Sequence, residues 1–116
     1  MKRSGQIVLA TFPYSDLSET KLRPVLMLRQ ASANFDDWLV CMVSSQTKQA
    51  EELDEIITPT DADFADTGLK VPSLFRLSRL AVLDGKLFVG SIGAISEDRL
   101  VRIRLRLSKW INDTPK

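Results

Sequence analysis

The apolar residues of this chain fall into short, β-rich runs separated by turn-formers, and that spacing limits the fold to a small, mainly β structure. Gln6 to Phe12 reads as a first strand, closed by Pro13. Residues 13–22 are turn-formers and polar groups, hence a loop. Pro24 to Arg29 forms a second strand, with its proline where a missing N–H is tolerated. Trp38 to Ser44 is almost continuously apolar, as a central strand buried on both faces would be. Leu53 to Thr58 is a short strand candidate, and 61–68 an acidic turn region with a brief helical turn. Ser73 to Leu83 is extended. Asp84-Gly85 signals a hairpin between it and Lys86 to Val89, and Gly90 and Gly93 make the last strand irregular. Five or six such strands with turns between them imply a barrel or half-barrel.

One helix is expected after them. Ser96 is a good N-cap, and Glu97 and Asp98 suit the positive end of a helix. Residues 101–107 alternate as a strand would. However, Leu100, Ile103, Leu107, Trp110 and Ile111 lie on one helical stripe, with Arg99, Arg102, Arg106 and Lys109 opposite and Arg104 off pattern. Cap, length and stripe select a helix.

The chain has 116 residues, 44% of them hydrophobic, which suits one domain spanning 1–116. No stretch matches a membrane helix or a secretory leader, so a cytoplasmic protein is expected. The single cysteine, Cys41, lies in an apolar run and reads as a small buried hydrophobe. There is no histidine, which removes His-based acid–base pairs, Ser-His-Asp triads and most zinc sites. The acidic run 61–66 lacks the glycine and closing glutamate of a calcium loop. No metal or cofactor is expected.

Net charge is only +1, but residues 51–66 hold seven acids and no base, leaving sixteen bases against eight acids elsewhere. A basic body with one acidic segment can bind phosphate, although the same charges also suit an ordinary solvated surface.

Three constellations carry candidate chemistry. The loop into the second strand offers Tyr14, Asp16, Lys21 and Arg23. Arg23 sits where loop meets sheet, either as a fork for phosphate or as a surface partner of Asp16 or Glu19. Ser44, Ser45 and Gln46 end the buried strand, where hydroxyls serve a phosphoryl oxygen or a turn. In an alternating strand Arg76 and Ser78 share one face and Arg79 takes the other; an inward arginine needs an anion.

Together these segments resemble the MazF/PemK (Kid) family of toxin–antitoxin ribonucleases along nearly the whole chain. The resemblance is carried by Gly5-Gln6-Ile7-Val8, by Phe12-Pro13-Tyr14-Ser15-Asp16-Leu17-Ser18 and by Lys21-Leu22-Arg23-Pro24-Val25-Leu26. It continues through Asp37 to Gln46, Pro72-Ser73-Leu74-Phe75-Arg76-Leu77, and Ile92-Gly93 to Leu100. It implies an SH3-like barrel of five to seven strands with a C-terminal helix, a homodimer, and metal-independent cutting of single-stranded RNA. The RNA's own 2′-hydroxyl would be the nucleophile, so DNA is not a substrate. Arg23 matches the family's catalytic arginine and Ser44 its catalytic threonine. Arg76 matches an arginine of the Kid branch, and Ser78 stands where that branch has an aspartate. Tyr14, Asp16, Lys21, Ser45, Gln46, Arg76 and Ser78 are then the residues expected to bind substrate. An antitoxin with an acidic, disordered tail is the implied protein partner. The competing expectations are an RNA- or protein-binding module without catalysis, and a toxin that poisons gyrase.

Overall fold

The computed structural model describes residues 2–11 and 21–113. Tyr14 and Asp16 lie outside the described residues. Six strands form one antiparallel sheet: β1 (Gln6–Thr11), β2 (Leu22–Gln30), β3 (Asp37–Ser44), β4 (Glu55–Ile57), β5 (Ser73–Asp84) and β6 (Phe88–Ala94), followed by α1 (Glu97–Asn112). Their order across the sheet is β4-β5-β3-β2-β1-β6.

β3 is central, between β5 and β2, and it feeds a core on each face, as its apolar run implies. Leu39, Cys41 and Val43 join Ile7, Leu26, Leu28, Phe75 and Leu77 in one core. Trp38, Val40 and Met42 join Val8, Val25, Met27 and Leu83 in the other. Burial raises the Cys41 thiol well above its ordinary range, so it stays a neutral core group.

The Asp84-Gly85 pair is not a hairpin. β5 pairs with β3 and β4, whereas β6 pairs with β1 at the opposite border of the sheet. Asp84 Oδ1 accepts from the Lys86 N–H at 2.9 Å and caps a 3-10 turn over Gly85–Leu87 that carries the chain across. Gly85 lies close under the Asp36 carboxylate, which a Cβ there would displace. The other border is closed backbone to backbone. Gly68 ends the 3-10 turn Phe64–Thr67 with φ +75°, and a Cβ there would overlap the Ile92 carbonyl; one on Gly93 would overlap the Asp66 and Thr67 carbonyls.

Helix α1 begins as its cap predicts: Ser96 Oγ accepts from the Arg99 N–H at 3.2 Å. Leu100, Ile103 and Leu107 enter the first core. The expected stripe fails at its end, since Trp110 and Ile111 are 53% and 59% exposed. The polar side fails in the opposite sense, because Arg99 is buried. It meets the acidic segment: Nε and Nη2 bond Asp63 Oδ2 and Oδ1 at 2.8 and 3.0 Å, and Nη1 bonds Glu55 Oε2 at 2.6 Å. Arg102 also holds Glu55, at 3.0 Å. The 51–66 acids are therefore partly neutralised by α1 and are not a separate charged lobe. Burial disfavours the Asp63 carboxylate, but the bonds from Arg99 and the Ser96 N–H outweigh it and hold its pKa down to about 2.

Candidate functional site

A groove of about 800 Å³ runs over the ends of β2, β3 and β5. One wall is Arg23 and Pro24 with Met42 to Gln46. The other is Leu69, Lys70 and Val71 with Arg76, Arg79 and Leu80.

Strand pairing explains the convergence. β2 and β3 pair Val25 with Met42 and Leu26 with Cys41. Continued to the strand ends, that register brings Arg23 level with Ser44. Met42 in turn pairs with Arg76 of β5. Residues two apart on a strand share a face, so Arg23, Ser44 and Arg76 look out on the same side. Pro24 has no N–H to donate, and Arg23 just before it is exposed at the groove edge.

Ser44 Oγ accepts from the Gln46 N–H at 3.0 Å. This fixes the turn out of β3 and leaves the hydroxyl hydrogen to donate into the groove. Ser45 and Gln46 line the groove and are exposed. Arg76 is half-buried. Its Nη1 reaches Gln49 Oε1 at 3.4 Å, while its Nε is buried with no hydrogen-bond partner among the described residues. A buried guanidinium donor without a protein partner suits an anion in the groove.

Two expected residues are elsewhere. Lys21 is exposed and is not among the groove-lining residues. Ser78 is turned away from the groove: its N–H and Oγ–H both donate to Asp54 Oδ1, at 3.0 and 2.9 Å. The expected division of β5, with Ser78 beside Arg76 and Arg79 opposite, is corrected by a break in the β3–β5 register that places Arg79 in the groove. Sequence reasoning missed Lys70 as well, because nothing in its neighbourhood marks it until the chain folds. Arg23, Lys70, Arg76 and Arg79 thus line one groove, and among the described lining residues there is no acid. Among the described residues no cluster of His, Cys, Asp and Glu gathers to hold a metal ion.

Solved structures share this fold. An endoribonuclease in complex with its cognate antitoxin, from a mycobacterial species, superposes with a TM-score of 0.69 at 13% identity, covering 100% of both chains. The Mycobacterium tuberculosis toxin MazF-mt6 gives 0.66 at 14% identity over 92% of this chain and 96% of that one. MazF from Deinococcus radiodurans gives 0.70 at 18%, over 96% of each. Comparison with curated protein sequences finds no significant match. The model of one family, the PemK-like, MazF-like toxins of type II toxin-antitoxin systems, matches residues 3–111. With the fold and nearly the whole sequence in agreement, the chain belongs to the PemK-like, MazF-like toxin family of type II toxin-antitoxin systems.

Proposed function

We propose that the groove binds and cuts single-stranded RNA, and that this is how the toxin acts in the cytoplasm. The observation that carries the reading is the gathering of Arg23, Lys70, Arg76 and Arg79 around Ser44 with no acid among the described lining residues. Such a surface attracts a phosphodiester backbone.

In the proposed reaction the 2′-oxygen attacks the adjacent phosphorus while the bond to the 5′-oxygen breaks. The proton lost from the 2′-hydroxyl is balanced by one gained at the 5′-oxygen. The products are a 2′,3′-cyclic phosphate and a 5′-hydroxyl, with no metal taking part. Arg23 neutralises charge on the pentacoordinate phosphorane through its fork, and Ser44 donates to a non-bridging oxygen. Arginine is too basic to release its own proton readily, so its contribution is electrostatic. Arg76, Lys70 and Arg79 hold flanking phosphates, with Ser45 and Gln46 at the rim. Tyr14 and Asp16 are assigned to the same substrate.

The same cations suit the acidic, disordered tail of an antitoxin, and one structural neighbour is an endoribonuclease described as bound to its cognate antitoxin. A homodimer of single-domain chains is part of this reading. The test is to incubate the purified protein with varied single-stranded RNAs in EDTA and to identify the ends. Cyclic phosphate ends that vanish on Arg23→Ala support it, and intact RNA, or an alanine variant as fast as the parent, sinks it. One observation favours a second reading, RNA held but not cut: with Ser78 committed to Asp54, no described carboxylate lines the groove to take the 2′-proton. Retention of RNA without products would select that reading.

A further inference from the structure

β5 leaves regular pairing at one place. Between Cys41 and Met42, β3 advances by one residue, while β5 goes from Leu80 to Arg76. Leu77, Ser78 and Arg79 are therefore looped out of the ladder, as in an enlarged bulge. Each has a different destination. Leu77 fills the core beneath α1, Ser78 turns to Asp54, and Arg79 returns to the groove that Arg76 already lines. Both arginines face one groove only because of this loop-out, since strict alternation puts residues three apart on opposite faces.

One carboxylate holds the loop-out in shape. Asp54 Oδ1 accepts both the N–H and the Oγ–H of Ser78, at 3.0 and 2.9 Å, and its Oδ2 accepts the Glu51 N–H at 3.0 Å. Asp54 is 8% exposed, and among the described residues no cation forms an ion pair with it; those of α1 go to Glu55, Asp61 and Asp63. Arg106 instead donates to the Asp54 main-chain carbonyl at 3.2 Å, fixing the segment from behind. A buried carboxylate without a counter-cation is costly to keep, and here three donors organised around it offset that cost.

We infer that Asp54 is a positioning residue for the groove: by clamping Ser78 it holds the loop-out that presents Arg76 and Arg79 together to the phosphates of an RNA strand. This rests on the reading of the groove as RNA-binding. It separates two halves of the site. Arg23 and Ser44 stand on the regular β2–β3 ladder, whereas Arg76 and Arg79 depend on Asp54. Loss of the clamp therefore weakens substrate binding and spares turnover.

The experiment compares the full-length parent with Asp54→Ala, Asp54→Asn and Ser78→Ala. Cleavage is measured against RNA concentration and salt, and backbone amide exchange is followed at 77–79. Asp54→Ala is expected to raise KM about tenfold while kcat stays within about twofold. Its log–log salt dependence should become shallower by roughly 0.7 for each RNA phosphate that no longer meets a cation. Ser78→Ala, which keeps the main-chain bond, and Asp54→Asn, which keeps an acceptor for Ser78, should lie between. In an Arg76→Ala/Arg79→Ala background, Asp54→Ala should add nothing to KM. A lower melting temperature with unchanged KM, or an additive loss in that background, overturns the proposal. Amide exchange separates its failure from that of the RNA reading. If the parent ignores RNA yet exchange at 77–79 rises selectively in Asp54→Ala, the clamp stands and the RNA assignment falls. Unchanged protection at 77–79 removes the clamp.

Discussion

Arg99 and Asp63 meet through two parallel hydrogen bonds, Nε to Oδ2 at 2.8 Å and Nη2 to Oδ1 at 3.0 Å, tying the first turn of α1 to the acidic segment between β4 and β5. Glu55 takes the remaining arm of the guanidinium at 2.6 Å. All three side chains are buried. Removing the cation leaves two carboxylates without it in a poorly solvated place. Arg99→Ala should therefore lower stability by about 3–5 kcal/mol, the usual cost of breaking a buried ion pair from one side. Urea unfolding followed by circular dichroism measures it. A loss below about 1 kcal/mol would show that the pair is a bystander to helix docking.

The same pair sets an acid limit. Asp63 titrates at about 2 in the folded chain, below the ordinary carboxylate value, because Arg99 and the Ser96 N–H stabilise its charged form more than burial opposes it. A group whose folded pKa is depressed contributes stability above its unfolded pKa and loses it as pH falls toward the folded one. The melting temperature should decline as pH drops from roughly 4 to 2, and Asp63→Asn should start lower and decline less steeply over that window. An equal acid slope in parent and variant would remove Asp63 from the explanation.

Three glycines of the closing border give an internal contrast. Gly68 has φ +75° and abuts the Ile92 carbonyl, and Gly93 abuts the Asp66 and Thr67 carbonyls, while a Cβ on Gly90 meets nothing within 4 Å. Gly68→Ala should cost about 2 kcal/mol or more, from the left-handed backbone and the collision together. Gly93→Ala should be costly through the collision alone. Gly90→Ala should be neutral or slightly stabilising, since a strand gains from losing glycine's unfolded-state freedom. Thermal melts of the three variants check the order, and a destabilised Gly90→Ala would contradict the open space seen there.

Much of this architecture was legible from local pattern. The apolar run 38–44 marks the central strand because a strand buried on both faces has no polar alternation to show. Ser96 with Glu97 and Asp98 marks the start of α1 because capping is a local interaction. Features that depend on distant neighbours were not legible. Asp84-Gly85 has hairpin chemistry, but its glycine serves the close approach of Asp36. Arg99 belongs to the polar side of a helical wheel, yet becomes a buried residue because acids 36 and 44 positions away fold over it. In the groove, Arg23 and Ser44 are placed by a regular ladder and so follow from strand assignment. Arg79 and Ser78 exchange their expected sides because the loop-out in β5 depends on Asp54, which no periodicity reveals.

Ser44 provides the sharpest test of the proposed chemistry. Its oxygen accepts from the Gln46 N–H, and its hydroxyl hydrogen is left to donate to a phosphoryl oxygen. Ser44→Ala removes that donor and the turn-fixing bond together. It should slow RNA cleavage by about 10²–10³, the usual cost of losing one donor to a developing phosphoryl charge, with a smaller change in KM. Ser44→Thr keeps the oxygen and adds a methyl that restricts χ1 at the end of β3. Ser44 lines the open groove and is not fully buried. The threonine variant should therefore match or exceed the parent in kcat at equal stability. Single-turnover cleavage of one RNA by the three proteins decides the matter. If alanine and serine turn over alike, the hydroxyl does no chemistry and the charge on the phosphorane is carried by Arg23 alone.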